Sequence, residues 1–262
     1  MIPAGAITAW SASRPWPNRA AIEQDLLLAR TIVAIYQHPL LADELVFRGG
    51  TCLHQVVLSN PRRYSEDLDF VRASHSGIGG VFDALREVAD QIGLDVTSTD
   101  VGTHPKLRMR ASSEDDPAVM LRIKVEINTH ETSPARPIIK RLFEVNNSWF
   151  TGSAQARTFT SAELVATKIR ALYQRKKGRD LFDMWLALTE LGLTGDELIG
   201  SFAPYRPEGL TAALAEANLR GKLADRAFRA DLEPLIAEWP ADYDIDAAGE
   251  MVITEVLSKL DG

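Results

Sequence analysis

Apolar residues recur at three- and four-residue spacing between Arg19 and Gln37, where Ile22, Leu26, Ala29, Val33 and Tyr36 mark one face. That period predicts a helix, with Asn18 placed to cap its start and Pro39 to stop it. Leu45-Val46-Phe47 reads as a short strand running into Arg48-Gly49-Gly50-Thr51, after which a helix resumes from Cys52 to Leu58. Beyond the turn Ser59-Asn60-Pro61, alternation predicts a second strand from Ser65 to Arg72. It sets Leu68 and Phe70 on one side and Asp67 and Asp69 on the other. A helix from about Gly80 to Ile92 carries Val81, Leu85, Val88 and Ile92 on one stripe.

The middle of the chain changes period. Leu94 to Thr99, Lys106 to Ala111 and Val119 to Asn128 are three expected strands, the last two separated by the acidic turn from Ser112 through Asp115 to Pro117. In the third, Leu121, Ile123, Val125 and Ile127 alternate with Arg122, Lys124, Glu126 and Asn128, the pattern of a strand buried on one face only. Ile138 to Phe143 reads as one more short strand. From Thr160 the period turns helical: Thr160 with Glu163 suggests a capping box for a helix closing at Gly178. A second helix from about Asp180 buries Leu181, Met184, Trp185, Leu188 and Leu191, and shorter helices follow, broken by Pro204, Pro207 and Pro240. The expected fold class is α+β: an α+β domain over 1–155 and an α-helical domain over 156–262.

Composition narrows the options. With 45% apolar and 25% charged residues among 262, the chain can bury a core without staples, which excludes disorder. The single Cys52 excludes an internal disulfide and a cysteine-built metal site. The absence of a long uncharged apolar run, and an opening segment unlike a secretory leader, lead to the expectation of a cytoplasmic protein without a membrane partner. The net charge of −7 is uneven: residues 182–262 hold 16 acidic against 6 basic side chains, leaving the rest slightly basic. Local patches therefore decide what the surface attracts, and the densest is Lys168, Arg170, Arg175, Lys176, Lys177 and Arg179. A solvated helix end explains such a run as readily as a binding surface does.

Three pieces share one chemical task. Gly49-Gly50-Thr51 between a strand and a helix leaves backbone N–H groups open to phosphate oxygens, with the Thr51 hydroxyl as a further donor. A tight turn is the plainer reading of the same residues. Asp67 and Asp69 at i and i+2 of a strand point the same way, roughly 6–7 Å apart, a spacing suited to sharing divalent cations. On an open face they are merely solvated acids. Glu126 on the alternating strand, with Lys124 on the same face, supplies a third carboxylate if strand pairing brings it near, or a cross-strand ion pair if not.

The order of strand, GGT, helix, DxD and a later lone acid resembles the DNA polymerase β-like nucleotidyltransferases. More specifically, four blocks resemble the AbiEii/AbiGii toxin family: Phe47 to Leu53, Arg63 to Phe70, Lys124 to Asn128, and Lys168 to Asp183 with its pattern KxRxLxxRxKGRDxFD. The resemblance implies a mixed nucleotidyltransferase sheet flanked by helices and an NTP-dependent enzyme with a two-metal Mg²⁺ site on Asp67, Asp69 and Glu126. It further implies the toxin of a toxin–antitoxin or phage-defence pair, opposed by a cognate antitoxin. Relatives in the mycobacterial MenT group add nucleotides to the tRNA 3′ end, so an RNA acceptor and a block of translation are implied with it.

On this reading Gly49, Gly50 and Thr51 cradle the β- and γ-phosphates, with Arg48, Ser65, Lys124 and Arg175 as further contacts to the nucleotide. Lys168 and Arg175, two helical turns apart, share a face, and Lys168 is the expected phosphate contact. Asp180 is expected to cap its helix, whereas for Asp183 the resemblance favours a catalytic or organising role. Cys52 and His54 are expected to be structural. A phosphoryl group on Ser65 would add negative charge beside the metal-binding acids, one route for an antitoxin to silence the enzyme. The cations at 168–179, with Arg62, Arg63, Arg136, Lys140 and Arg141, favour a polyanionic acceptor if they converge. Transfer to a protein or small-molecule hydroxyl, and a catalytically idle nucleic-acid or antitoxin-binding module, remain open alternatives.

Overall fold

The computed structural model describes residues 2–74, 77–114, 116–131 and 133–261. The acidic turn expected before Pro117 includes Asp115, which lies outside the described residues. The chain divides into two compact units, residues 1–132 with 138–158, and residues 133–137 with 159–262.

The first unit is built on a seven-stranded mixed sheet. In chain order its elements are α1 (Ala4–Ser11), α2 (Arg19–Gln37), α3 (Pro39–Glu44), β1 (Leu45–Arg48), α4 (Gly49–Cys52), β2 (Asp67–Arg72) and α5 (Gly79–Ile92). They continue as β3 (Asp95–Asp100), β4 (Lys106–Ser112), β5 (Met120–Asn128), β6 (Ile139–Asn146) and β7 (Thr151–Thr158). The strands lie in the order β3-β4-β5-β2-β1-β7-β6. β2 runs parallel to β5 and β1 parallel to β7, while the other neighbours are antiparallel.

The Asn18 side chain accepts a hydrogen bond from the Ala21 amide at 2.9 Å and starts α2 as expected, and Pro39 opens α3 instead of merely ending its predecessor. α2 packs against the sheet with Leu26, Ile32, Val33 and Ile35 fully enclosed, and Tyr36 meets the Phe70 ring edge-on. Phe47 and Phe70 stack at 5.0 Å on that core face. The opposite face of β1, β2, β4 and β5 carries the polar set. Several elements differ from the sequence expectation. α1 and β7 lack a clear apolar period, and the helix after Gly50 changes to a π-helical turn over Leu53–Val57, a distortion often found near functional sites.

The second unit is helical: α6 (Ser161–Gln174), α7 (Gly178–Thr189), α8 (Gly195–Ile199), α9 (Ala212–Leu223), α10 (Arg226–Ala230) and α11 (Ile245–Glu255). Thr160 accepts from the Glu163 amide, but the Glu163 carboxylate does not close a capping box. It is buried and accepts from the amides of Ala135 and Arg136 and from the Tyr205 hydroxyl. α6 stops at Gln174, short of the expected Gly178, because Arg175 is already extended. Among the described residues, no helix is long and apolar enough to cross a membrane.

Candidate active site

Strand register decides which polar side chains meet. β2 and β5 pair in parallel with Asp67 opposite Lys124 and Asp69 opposite Glu126, while Leu68 opposite Val125 and Phe70 opposite Ile127 fill the core face. On the neighbouring strands Arg48 stands opposite Asp69 and Lys106 opposite Glu126. One row across the sheet therefore reads Arg48, Asp69, Glu126, Lys106, with adjacent strands about 4.8 Å apart. The next row holds Asp67, Lys124 and Arg108.

Charges in these rows are partly balanced by cations. Lys124 Nζ lies 3.0 Å from Asp67 Oδ2 and 3.5 Å from Glu126 Oε2, and Lys106 Nζ lies 3.5 Å from the same Glu126 oxygen. Arg48 pairs with Glu131, on a loop whose backbone amides at His130 and Glu131 donate to Asn128 Oδ1. Burial raises the Asp69 carboxyl pKa, Asp67 and Glu126 push it further up, and Arg48 and Lys124 only partly oppose them. Lys124 is held above its ordinary range: burial disfavours its charge, but the surrounding carboxylates outweigh burial.

The glycine turn sits directly against these acids. Gly49 has φ +82°, and a Cβ there would stand 2.5 Å from Asp69 Oδ2; one at Gly50 would strike the Arg63 guanidinium. Both glycines thus admit a side chain onto the backbone as well as leaving N–H groups at the start of α4. Thr51 corrects the expectation of a phosphate donor. It is buried, its hydroxyl donates to the Asp67 carbonyl, and Ser65 donates to Thr51 at 2.8 Å. Its single proton is committed to joining the turn to β2. Ser65 itself precedes β2 instead of sharing its face with Asp67, because the strand begins at Asp67.

Lys168, Arg175 and Asp183 belong to the second unit, where they form a network of their own. Lys168 Nζ lies 2.8 Å from Asp183 Oδ2 and 3.4 Å from Asp180 Oδ1, all three side chains being almost fully buried. Arg175 grips Asp180 with two hydrogen bonds of 2.6 and 2.7 Å. Burial alone would raise the Asp180 pKa, but Lys168 and Arg175 bring it below the ordinary carboxylate value. Asp180 therefore ties α6 to α7 instead of capping, and Lys168 is enclosed by two carboxylates instead of presented to a phosphate. The wider basic run is also charge-matched: Lys176 pairs with Asp225, and Lys177 and Arg179 with Asp231. Arg63 is buried, and Lys140 and Arg141 lie on β6, at the far edge of the sheet from β3. Cys52 and His54 are buried as expected, Cys52 Sγ within 3.1 Å of Thr158 Oγ1 and His54 Nδ1 accepting from the Arg62 amide.

Lys106 and Arg108 escaped the sequence reading as site residues. Their alternation with Leu107 and Met109 marks them as facing away from the core, but only β4–β5 pairing places them beside Glu126 and Lys124.

A glycine turn after one strand, paired aspartates on its neighbour and a register-matched glutamate on the next thus come together on one face of the sheet. Residues 30–250 match the family described as the nucleotidyl transferase AbiEii toxin of type IV toxin–antitoxin systems, and the chain belongs to that family. It is therefore a nucleotidyltransferase of a toxin family, with an antitoxin partner implied by the system. Among solved structures, the chain is similar to MenT4, a nucleotidyltransferase toxin from Mycobacterium tuberculosis H37Rv, with 18% identity over 95% of this chain and 97% of that one, at a TM-score of 0.49. It is also similar to an antigenic nucleotidyltransferase-like protein from Paracoccidioides brasiliensis, with 18% identity over 79% of this chain and 93% of that one, at a TM-score of 0.39. No curated protein matches the chain.

Enzymes of this kind use an NTP and divalent metal ions. Asp67, Asp69 and Glu126 supply oxygen donors, the kind such an ion takes, on one face of adjacent strands. Among the described residues, no three acidic, histidine or cysteine side chains enclose a metal position, and Lys124 Nζ stands between Asp67 and Glu126.

Proposed function

We propose that the chain is a Mg²⁺-dependent toxin that transfers a nucleoside monophosphate from an NTP to RNA, with the tRNA 3′ end as acceptor and a block of translation as the result. The observation that carries this reading is the pairing of Asp69 with Glu126 on adjacent strands, with Asp67 on the same face and the Gly49 turn packed against the Asp69 carboxylate.

Asp67, Asp69 and Glu126 would hold the cation. When bound, Mg²⁺ supplies charge neutralisation of the triphosphate and lowers the pKa of the acceptor hydroxyl. The backbone N–H groups at Gly49 and Gly50 bind the β- and γ-phosphates. Arg48, opposite Asp69 and paired with Glu131, and Lys124, paired with Asp67 and Glu126, offset the charge of the acids. Transfer joins the acceptor oxygen to the α-phosphorus and releases pyrophosphate, and the protein contributes mainly position and charge. Lys168, Arg175 and Asp183 act as positioning residues through the α6–α7 network.

Incubation with each labelled NTP and Mg²⁺, first with total RNA and then with protein extract, tests the reading. Label at RNA 3′ ends, absent with Asp67→Asn, is the expected result, and sequencing those ends identifies the acceptor. Label only in protein or small molecules overturns the RNA assignment, and Asp67→Asn retaining toxicity overturns the enzymatic one.

A further inference from the structure

Beside the acids the same sheet face carries an unusual concentration of like charge. β4 and β5 pair so that Arg108 stands directly opposite Lys124, and Arg110 directly opposite Arg122. Like charges on register-matched positions repel and weaken a sheet. A sequence stabilised for folding alone would place an acid at one member of each pair, as it does with Lys106 opposite Glu126. Among the described residues, no carboxylate pairs with Arg108 or Arg122, and Arg110 has only the exposed Asp95 at 3.9 Å. Arg108 and Arg122 are exposed, so neither is held by the core.

These side chains line a trough of about 640 Å³ that ends at Asp67 and Lys124. Pockets of roughly 300–1,000 Å³ suit ligands of small-molecule size, so the trough takes a short single-stranded segment and not a duplex. Sheet order places it on the β5 and β4 side of Asp67, whereas the glycine turn follows β1 on the other side of β2. A triphosphate held at the turn therefore leaves the trough free for the second substrate. Glu66, the other acid along it, is engaged by Gln24 and Tyr64.

We infer that this trough is the track for the sugar–phosphate backbone of a single-stranded RNA 3′ end, with Arg108, Arg110 and Arg122 holding the phosphates that precede the reacting terminus. The inference rests on the proposed RNA acceptor and adds where and by which residues it is held. Exposed cations, with no aromatic ring over them among the described residues, read phosphate and not base, so binding along the trough is independent of sequence and steeply dependent on salt.

The test uses the full chain with Arg110→Ala/Arg122→Ala, a charge-keeping Arg110→Lys/Arg122→Lys control, and a fluorescein-labelled single-stranded RNA. Because the alanine variant removes a repulsive pair, it is expected to unfold no earlier than the parent. Its RNA affinity should fall roughly tenfold, and the slope of log affinity against log salt should drop by about 1.4 for two lost contacts. In transfer assays the KM for RNA should rise while the KM for NTP stays within twofold, and the lysine variant should restore most of both effects. Unchanged salt slope and KM for RNA, in a parent that does transfer to RNA, overturn the trough assignment alone. A parent that transfers to no RNA overturns the underlying reading instead. Loss of antitoxin binding with RNA binding intact would reassign the surface to an acidic protein partner, which also overturns the inference.

Discussion

Asp69 on β2 and Glu126 on β5 occupy register-matched positions on one sheet face, one strand spacing apart, with Arg48 and Lys106 flanking them in the same row. Neighbouring carboxylates cost stability through mutual repulsion. Asp69→Asn and Glu126→Gln are therefore expected to lower transfer by roughly 10²–10³-fold or more while leaving the melting temperature within about 3 °C of the parent, or above it. Parallel calorimetry and transfer assays check this. A large loss of stability would mean that the acids serve the fold.

Gly49 and Gly50 should not respond alike. Gly49→Ala combines a left-handed backbone with a clash against the Asp69 carboxylate and should cost about 1–3 kcal/mol along with most of the activity. At Gly50 the obstacle is the end of the Arg63 side chain, which can shift. Urea denaturation of both variants should rank Gly49→Ala clearly the less stable.

Lys168 is buried and lies against both Asp180 and Asp183. Lys168→Met should destabilise by about 3–5 kcal/mol, because it removes a buried charge partner from both Asp180 and Asp183, whereas Lys168→Arg should recover part of the loss. Since the folded Asp180 pKa is depressed, the stability it contributes is present above the ordinary carboxylate range and is lost as pH falls through the folded value. Acid titration of unfolding, parent against Lys168→Met, shows whether the difference shrinks below about pH 4.

Asp25 works in the opposite direction. Burial pushes its pKa up to about 6 despite Arg14 and the hydrogen bonds from Trp10 and Gln55. The protonated form is favoured by folding, so this contribution is complete below the ordinary value near ~3.9 and is lost as pH rises toward about 6. Asp25→Asn should remove that stretch of pH dependence. A parent and variant whose unfolding free energies run parallel from pH 4 to 7 would contradict it.

Ser65 donates to Thr51 behind the glycine turn, so Ser65→Glu should both break that bond and bring negative charge to the proposed phosphate site. Transfer is expected to fall at least tenfold, with Ser65→Ala much milder. Equal effects of the two variants would assign the serine to packing.

Much of this was legible along the chain because strand alternation is a local property. Leu68 and Phe70 against Asp67 and Asp69, and Leu121 to Ile127 against Arg122 to Asn128, follow from a two-residue period, and the Asn18 cap from a single side chain. What failed was equally physical. Thr51 has the right chemistry for a phosphate donor, but its one proton goes to a carbonyl sixteen residues away. Lys168 lies on α6 but Arg175 is extended just past its end, so the two do not share a helical face; their acids come from the next helix, and charge matching by Asp225 and Asp231 could not be read from a run of basic letters.

The order of residues alone determined the elements, the polar face of each strand and the kinds of chemical group available, since these depend on neighbours a few positions away. Tertiary structure decided which strands lie side by side, and hence that Asp69 meets Glu126, that Arg110 meets Arg122, and that Lys168 is enclosed. Pairing between distant segments is selected by the packing of the whole core, and a shift of one residue in strand register would have turned the side chains of the shifted strand to the other face.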